Sequence, residues 1–173
     1  MSKMRALGVL CLLALGGLAP AVIPARAESL SGFSVSAGSF RVLDDKRVAE
    51  AGLELRCALV PIRWMPRAVP GFVPAAGVMV NSDGSFYAYG SFRFEIAAGR
   101  LWQITPQVGA GIYARNGGFN LGGPVEFRSG LEVTRQIGDR HRLGLLFYHL
   151  SNAVLYRHNP GSESLVLTFS TRR

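Results

Sequence analysis

The sequence predicts an all-β protein, an eight-stranded antiparallel transmembrane β-barrel. Three observations support this prediction. Apolar and polar residues alternate through most of the chain after residue 28, the alternating segments are about ten residues long, and the polar face carries Glu, Arg, Gln, Gly and Tyr with few Lys or Asp. Strands of about ten residues can cross a bilayer, and closing the sheet satisfies every backbone donor within the lipid.

The N-terminus predicts export. Lys3 and Arg5 precede an apolar run that ends in small residues at Ala25 and Ala27, which is the pattern of a cleaved signal peptide over residues 1–27. A retained membrane anchor is the alternative, but Gly and Pro residues interrupt the run. We therefore expect residues 28–173 to form a single outer-membrane β-barrel domain.

The composition indicates which class of partner this domain binds. Removing residues 1–27 takes away three of the 19 basic residues and none of the 11 acidic ones, so the net charge becomes about +5. For an exported basic chain, an anionic membrane surface is a better partner than nucleic acid, and we expect no nucleic acid to bind. Cys57 is the only cysteine after residue 27, which excludes a disulfide within the domain.

The strands follow one another with short connections. We predict strands at residues 31–42, 47–57, 68–80, 85–96, 101–113, 124–136, 141–151 and 162–170. The fifth is typical, because Trp102 and Ile104 share one face while Gln103 and Thr105 share the other. The third is the least regular, because four prolines lie in or near it and proline cannot donate to a ladder.

A soluble β-sandwich would also alternate, with its apolar face turned inward. The polar face favours the barrel, because acidic and basic residues recur there together with glycines. Such a mixture suits a narrow lumen in which opposite charges pair and small residues leave room for large ones. We interpret these lumen charges as structural; they lie at Glu54, Arg56, Arg93, Glu95, Glu126, Arg128 and Glu132.

Three polar residues break the apolar face of the last two strands. His149 and Ser151 continue the parity of the lipid-facing residues on the seventh strand, and Glu163 does so on the eighth. Residues i and i+2 of a strand lie about 7 Å apart on one face, and cross-strand neighbours lie about 5 Å apart. The three side chains are therefore expected to form one cluster near the end of a hairpin.

This cluster has the composition of a serine hydrolase site. Ser151 would be the nucleophile, His149 would take and return its proton, and Glu163 would orient the imidazole. The amides of Asn152 and Asn159 could hold an oxyanion. The alternative is that these are ordinary polar residues at the membrane interface.

One motif carries a family resemblance. The run His149-Leu150-Ser151-Asn152-Ala153, followed by Asn159, Gly161 and Glu163, resembles the signature of the PagL-type lipid A 3-O-deacylases, including the twelve-residue interval between serine and glutamate. The resemblance implies an eight-stranded outer-membrane barrel that hydrolyses the ester-linked acyl chain at the 3-position of lipid A without a metal or other cofactor. It implies the same roles for Ser151, His149, Glu163, Asn152 and Asn159.

The resemblance also suggests partners. Lipid A, or the lipopolysaccharide that contains it, would be the substrate, and the site would face the outer leaflet of the bacterial outer membrane. Lys46, Arg115 and Arg157 fall in connections assigned to the outer side and could contact lipid A phosphates, although ordinary loop solubility explains them equally well. A homodimer is one oligomeric state that the sequence leaves open.

Two other functions fit the same architecture. One is a non-catalytic structural or adhesive barrel, in which the three polar residues are incidental. The other is an outer-membrane phospholipase or acyltransferase that acts on a different lipid, since a serine triad cleaves esters and the loops select the lipid.

Overall fold

The computed structural model describes residues 31–64, 69 and 71–172. The predicted signal peptide, residues 1–27, lies outside the described residues. The strands are β1 (Gly32–Phe40), β2 (Val48–Arg56), β3 (Val60–Pro61), β4 (Gly71–Asn81), β5 (Phe86–Arg93), β6 (Ile96–Ala98), β7 (Trp102–Ala114), β8 (Val125–Ile137), β9 (His141–Ser151) and β10 (Ser162–Arg172).

These strands form a closed antiparallel barrel. Each long strand pairs with its neighbours along the chain, β2 pairs with β4, and β1 pairs with β10 to close the ring. β5 and β6 together make one wall strand, because both pair with β7, and β3 is a short addition to β4. The prediction of an eight-stranded antiparallel barrel is confirmed. Among the described residues, no helix is long and apolar enough to span a membrane.

The alternation in sequence becomes the two faces of the wall. On β7, Gln103 and Thr105 are buried in the interior while Trp102 and Ile104 are exposed on the outside. The other long strands alternate in the same sense, so the outer surface carries large apolar side chains such as Leu131, Leu145 and Leu167. An apolar outer wall around a polar interior is the arrangement of a barrel that lies in lipid.

Two prolines inside the wall account for its irregularities. Phe94 donates its N–H to the carbonyl of Pro106 at 2.9 Å, but Pro106 has no N–H to return, and the wall strand is interrupted there between β5 and β6. Pro74 similarly accepts from Cys57 at 2.9 Å and returns nothing. The Cys57 carbonyl instead accepts a hydrogen bond from the Ser31 hydroxyl.

Side chains fill the lower part of the lumen. Arg93 is fully buried between two carboxylates; it donates to Glu54 at 2.9 Å and also to Glu132. Thr168 donates to the second oxygen of Glu132 at 2.6 Å. Above this network the guanidinium of Arg128 lies between two tyrosine rings, 4.6 Å and 4.2 Å from their centroids. This part of the lumen is therefore a packed core in which Arg93 is paired with carboxylates and Arg128 is stacked on aromatic rings.

Four connections lie together at one end of the barrel, which we call the outer rim. They are L1 (residues 41–47), L2 (82–85), L3 (115–124) and L4 (152–161). An apolar cluster that includes Phe40, Tyr87 and Leu121 closes the lumen beneath them. The opposite end carries the described part of the connection that follows β2 and the two short turns after β6 and β8.

Candidate active site

The hairpin of β9 and β10 brings the candidate residues to the outer rim. Ladder pairing places Glu163 directly opposite His149, and Ser151 is the last residue of β9. All three side chains point out of the barrel, because they share the parity of exposed Leu145 and Leu167. The cluster lies on the lipid-facing wall where the strands meet L4.

The imidazole of His149 is held by the carboxylate. Nδ1 lies 3.0 Å from Oε1 of Glu163, and the two side chains are 39% and 24% exposed. A carboxylate accepts hydrogen bonds only, so in the neutral imidazole Nδ1 carries the proton and Nε2 keeps its lone pair. That lone pair is the group that a general base needs. The Ser151 hydroxyl and the imidazole share one face, two residues apart, without a hydrogen bond between them in this part of the chain.

Asn152 joins two rim loops. Its side chain is fully buried, and its amide nitrogen donates to the carbonyls of Leu121 in L3 and His158 in L4, both at 2.9 Å. Its oxygen accepts from the N–H of Val154 at 3.1 Å. Both amide hydrogens are thus used within the protein. The side chain therefore holds L3 against L4 immediately after Ser151.

Asn159 is placed differently. Its oxygen accepts the backbone N–H of Asn152 at 3.1 Å, and its amide nitrogen donates to no described group. The two asparagines predicted for the oxyanion hole thus lie side by side. The amide nitrogen of Asn159 is available to a ligand, whereas that of Asn152 is engaged.

L4 begins with a strained turn. Ala153 and Val154 both have positive φ, 48° and 67°, and Leu155 donates its N–H to the carbonyl of Asn152 at 2.9 Å. Two consecutive left-handed residues define a type I′ turn, a conformation that is rare for a β-branched residue such as Val154. Strain of this kind concentrates at functional sites, where surrounding contacts maintain it. Here those contacts come from Asn152.

A bulge in the neighbouring strand affects the carboxylate. Regular pairing would continue from Phe40–Ser164 to place Arg41 opposite Glu163, but Val42 donates to the Glu163 carbonyl instead, at 2.9 Å. Two residues therefore oppose one, and Arg41 has a φ of 59°. The bulge turns the guanidinium of Arg41 away from Glu163. Its Cζ lies 3.9 Å from the centroid of the Phe119 ring, and its Nε lies 2.8 Å from Oδ2 of Asp44. Glu163 is left to pair with His149.

The three candidate phosphate contacts lie on the outer rim. Lys46 is exposed in L1, Arg115 in L3 and Arg157 in L4. The Nε of Arg115 donates to the carbonyl of Gly118 at 2.7 Å. The structure thus places all three cations on the same end of the barrel as Ser151, on three different loops.

Sequence reasoning missed two neighbours of the site, Arg41 and Ser129, and did not foresee the place of a third, Gly161. The bulge at Arg41 had no signal, because arginine is uncommon in the left-handed region. Ser129 pairs with His149 from β8, and its place in an alternating strand could have revealed it. Gly161 was part of the motif, but its contact with the imidazole depends on the loop conformation.

A closed barrel with an apolar outer wall defines the class of outer-membrane β-barrel proteins, and this barrel carries Ser, His and Glu together at its rim. The family model of lipid A 3-O-deacylase (PagL) matches residues 63–172. The chain belongs to this family and is a carboxylic ester hydrolase.

Solved structures support the same fold. The crystal structure of the outer membrane enzyme PagL matches with a TM-score of 0.65 at 20% identity, covering 83% of this chain and all of that one. Neisserial surface protein A matches with a TM-score of 0.56 at 7% identity over 82% of this chain and 95% of that one. A de novo designed transmembrane β-barrel matches with a TM-score of 0.53 at 8% identity, over 84% and 98%. No curated protein sequence matches significantly.

Proposed function

We propose that this protein removes the ester-linked acyl chain at the 3-position of lipid A, with Ser151 as nucleophile, His149 as base and Glu163 as orienting acid. The observation that carries the proposal is the 3.0 Å bond between His149 and Glu163 on the lipid-facing wall, one i, i+2 step from Ser151. Ionisable groups that face lipid are energetically costly, so their presence on the outer wall indicates a functional site. Membership of the deacylase family supplies the substrate class.

The chemistry proceeds in two halves. Ser151 Oγ attacks the ester carbonyl while Nε2 of His149 takes its proton, and the imidazolium then protonates the departing sugar oxygen. The acyl group remains on Ser151 as an ester. A water molecule, deprotonated by the same Nε2, then attacks this ester and releases the fatty acid and the serine hydroxyl. The Glu163 carboxylate stabilises the imidazolium in both halves.

The oxyanion of each tetrahedral intermediate needs a hydrogen-bond donor. The sequence prediction names Asn152 and Asn159 for this role. The contacts favour Asn159, because its amide nitrogen has no described acceptor, whereas Asn152 would have to release Leu121 or His158 to act.

Access to such a site is lateral. The wall below the cluster is apolar, with exposed Phe147, Leu145 and Leu165 on the same hairpin, so an acyl chain in the outer leaflet can lie along it. The rim loops above the cluster carry Lys46, Arg115 and Arg157, which we propose as contacts for the phosphates of lipid A. Homodimer formation stays a prediction.

Mass spectrometry of lipid A tests the proposal directly. Cells that express the wild type should lose one 3-linked acyl chain, and cells that express Ser151→Ala should not. Ser129→Ala is a matched control, because Ser129 also neighbours His149 on the outer wall and should be dispensable. Unchanged lipid A with a folded wild-type barrel would refute lipid A as substrate, and loss of acyl chains from phospholipid instead would point to a phospholipase.

A further inference from the structure

Gly161 lies against the imidazole edge that the reaction uses. It is the last residue of L4, one step beyond the final ladder pair of β9 and β10, Ser162 with Leu150. This position places it beside Ser151 across the hairpin. Its backbone is left-handed, with a φ of 69°.

A side chain at this position would collide with the catalytic ring. A Cβ built on Gly161 would lie 2.7 Å from Cε1 of His149 and 3.3 Å from Nε2. Real Cβ atoms essentially never come as close as the first of these distances. The ring cannot move aside freely, because its Nδ1 is held at 3.0 Å by Glu163 and its strand is paired on both sides.

Left-handed backbone alone does not explain the glycine. Gly138, in the turn between β8 and β9 at the opposite end of the barrel, has nearly the same φ, 66°, yet a Cβ there would meet nothing within 4 Å. The two glycines thus share a backbone conformation and differ in what a side chain would touch. Only the one at 161 has the imidazole as its neighbour.

We propose that Gly161 is a positioning residue for the deacylation reaction: the absence of its side chain leaves the Cε1 and Nε2 edge of the His149 imidazole unobstructed, so that Nε2 is open to the serine proton and to the leaving oxygen during the reaction. This inference rests on the proposed function. A methyl group at 161 would push Cε1 away and cover Nε2, displacing the ring from the position that Glu163 gives it. Displacements of about 1 Å in a catalytic geometry reduce rates by about 100-fold.

Four variants separate this role from backbone strain. Gly161→Ala and Gly161→Asn both add a Cβ, but asparagine tolerates the left-handed region better. Gly138→Ala and Gly138→Asn impose the same backbone change far from the site. Folding is checked by the heat-dependent mobility of the barrel in electrophoresis, and kcat and KM are measured on purified lipid A.

Both folded Gly161 variants should lose about 100-fold in kcat, with a smaller change in KM, while both Gly138 variants should keep wild-type values. In NMR spectra, the ¹³Cε1 signal of His149, assigned with His141 and His158 replaced, should shift only in the Gly161 variants. A folded Gly161 variant with wild-type kcat would overturn the proposal. Failure of both Gly161 variants to fold while the Gly138 variants fold would also overturn it, by assigning Gly161 to folding.

The NMR signal also keeps the two proposals apart. If the wild type does not deacylate lipid A, the proposed function fails, yet a shift of the His149 signal confined to the Gly161 variants would still support the positioning contact. If the wild type is active and the signal does not move, the proposed function stands and the role of Gly161 is refuted.

Discussion

Replacing Asn152 with alanine should loosen two loops at once. The substitution removes three hydrogen bonds: the two donated to Leu121 and His158 at 2.9 Å, and the one accepted from Val154 at 3.1 Å. Each contributes about 1 kcal/mol net. Only the bond to Leu121 crosses from L4 to L3, so detaching L3 should become easier by about 1 kcal/mol, whereas opening L4 breaks all three bonds and should become easier by about 3 kcal/mol. Because about 1.4 kcal/mol corresponds to a factor of ten, opening should increase by about fivefold for L3 and by about 100-fold for L4.

Hydrogen exchange followed by mass spectrometry measures this opening on peptides from L3 and L4. Asn120→Ala is the matched control, because that exposed side chain accepts a single bond, from Gly122 at 3.0 Å within L3. We expect faster exchange in both loops for Asn152→Ala, and at most a small change confined to L3 for Asn120→Ala.

The same experiment distinguishes two roles of Asn152. If its amide serves the oxyanion, kcat should fall by about 10²–10³-fold while exchange in L3 and L4 stays at the wild-type rate. That result would refute the assignment of Asn152 as the residue that joins the loops. Faster exchange in both loops would support it and leave the oxyanion to Asn159.

Two further predictions follow from the charges. Burial opposes ionisation of Asp83, but hydrogen bonds from Ser85 and Phe119 and the charge of Arg41 hold the pKa of this carboxyl below its ordinary value. The ionised carboxylate therefore stabilises the folded L2 and L3 at pH values above the unfolded pKa of about 3.9. This stabilisation is lost as the pH falls through the lower folded pKa. Pepsin should thus cleave L3 of the wild type faster as the pH falls from the unfolded to the folded pKa of Asp83. In Asp83→Asn, L3 should be cleaved at the fast rate throughout this range. The same pH dependence of cleavage in both proteins would contradict the stabilising role of Asp83. Glu132→Gln leaves the buried Arg93 with Glu54 as its carboxylate partner, and the free energy of unfolding in urea should fall by about 3 kcal/mol. Glu95→Gln is the control, because the ion pair of Glu95 with Arg172 is more exposed and its loss should change the free energy of unfolding little. Equal decreases for the two variants would contradict a stabilising role of the buried network.

The sequence predicted the barrel well because alternation is a local signal with a large energetic basis. A one-residue shift of β8, for example, would turn lipid-facing Leu131 into the lumen and bring lumen-facing Glu132 into lipid. The predicted strand at residues 85–96 proved to be interrupted, because Pro106 on the neighbouring strand cannot return a hydrogen bond. That effect belongs to a pair of strands and is invisible in either one alone.

The site was predictable only in part. The shared parity of His149, Ser151 and Glu163 follows from the strand period, and the structure places them on one wall. The burial of Asn152 did not follow, because its partners are carbonyls of Leu121 and His158, whose positions depend on two loops. Backbone acceptors leave no signature in the residue types that carry them.

The packed lumen has a consequence for the cell envelope. Arg93 and its carboxylates fill the middle of the barrel, and Phe40, Tyr87 and Leu121 close it above. Ions and small solutes therefore find no continuous aqueous path, and the protein should show no conductance in a planar bilayer. Such an enzyme can be abundant in the outer membrane without weakening its permeability barrier.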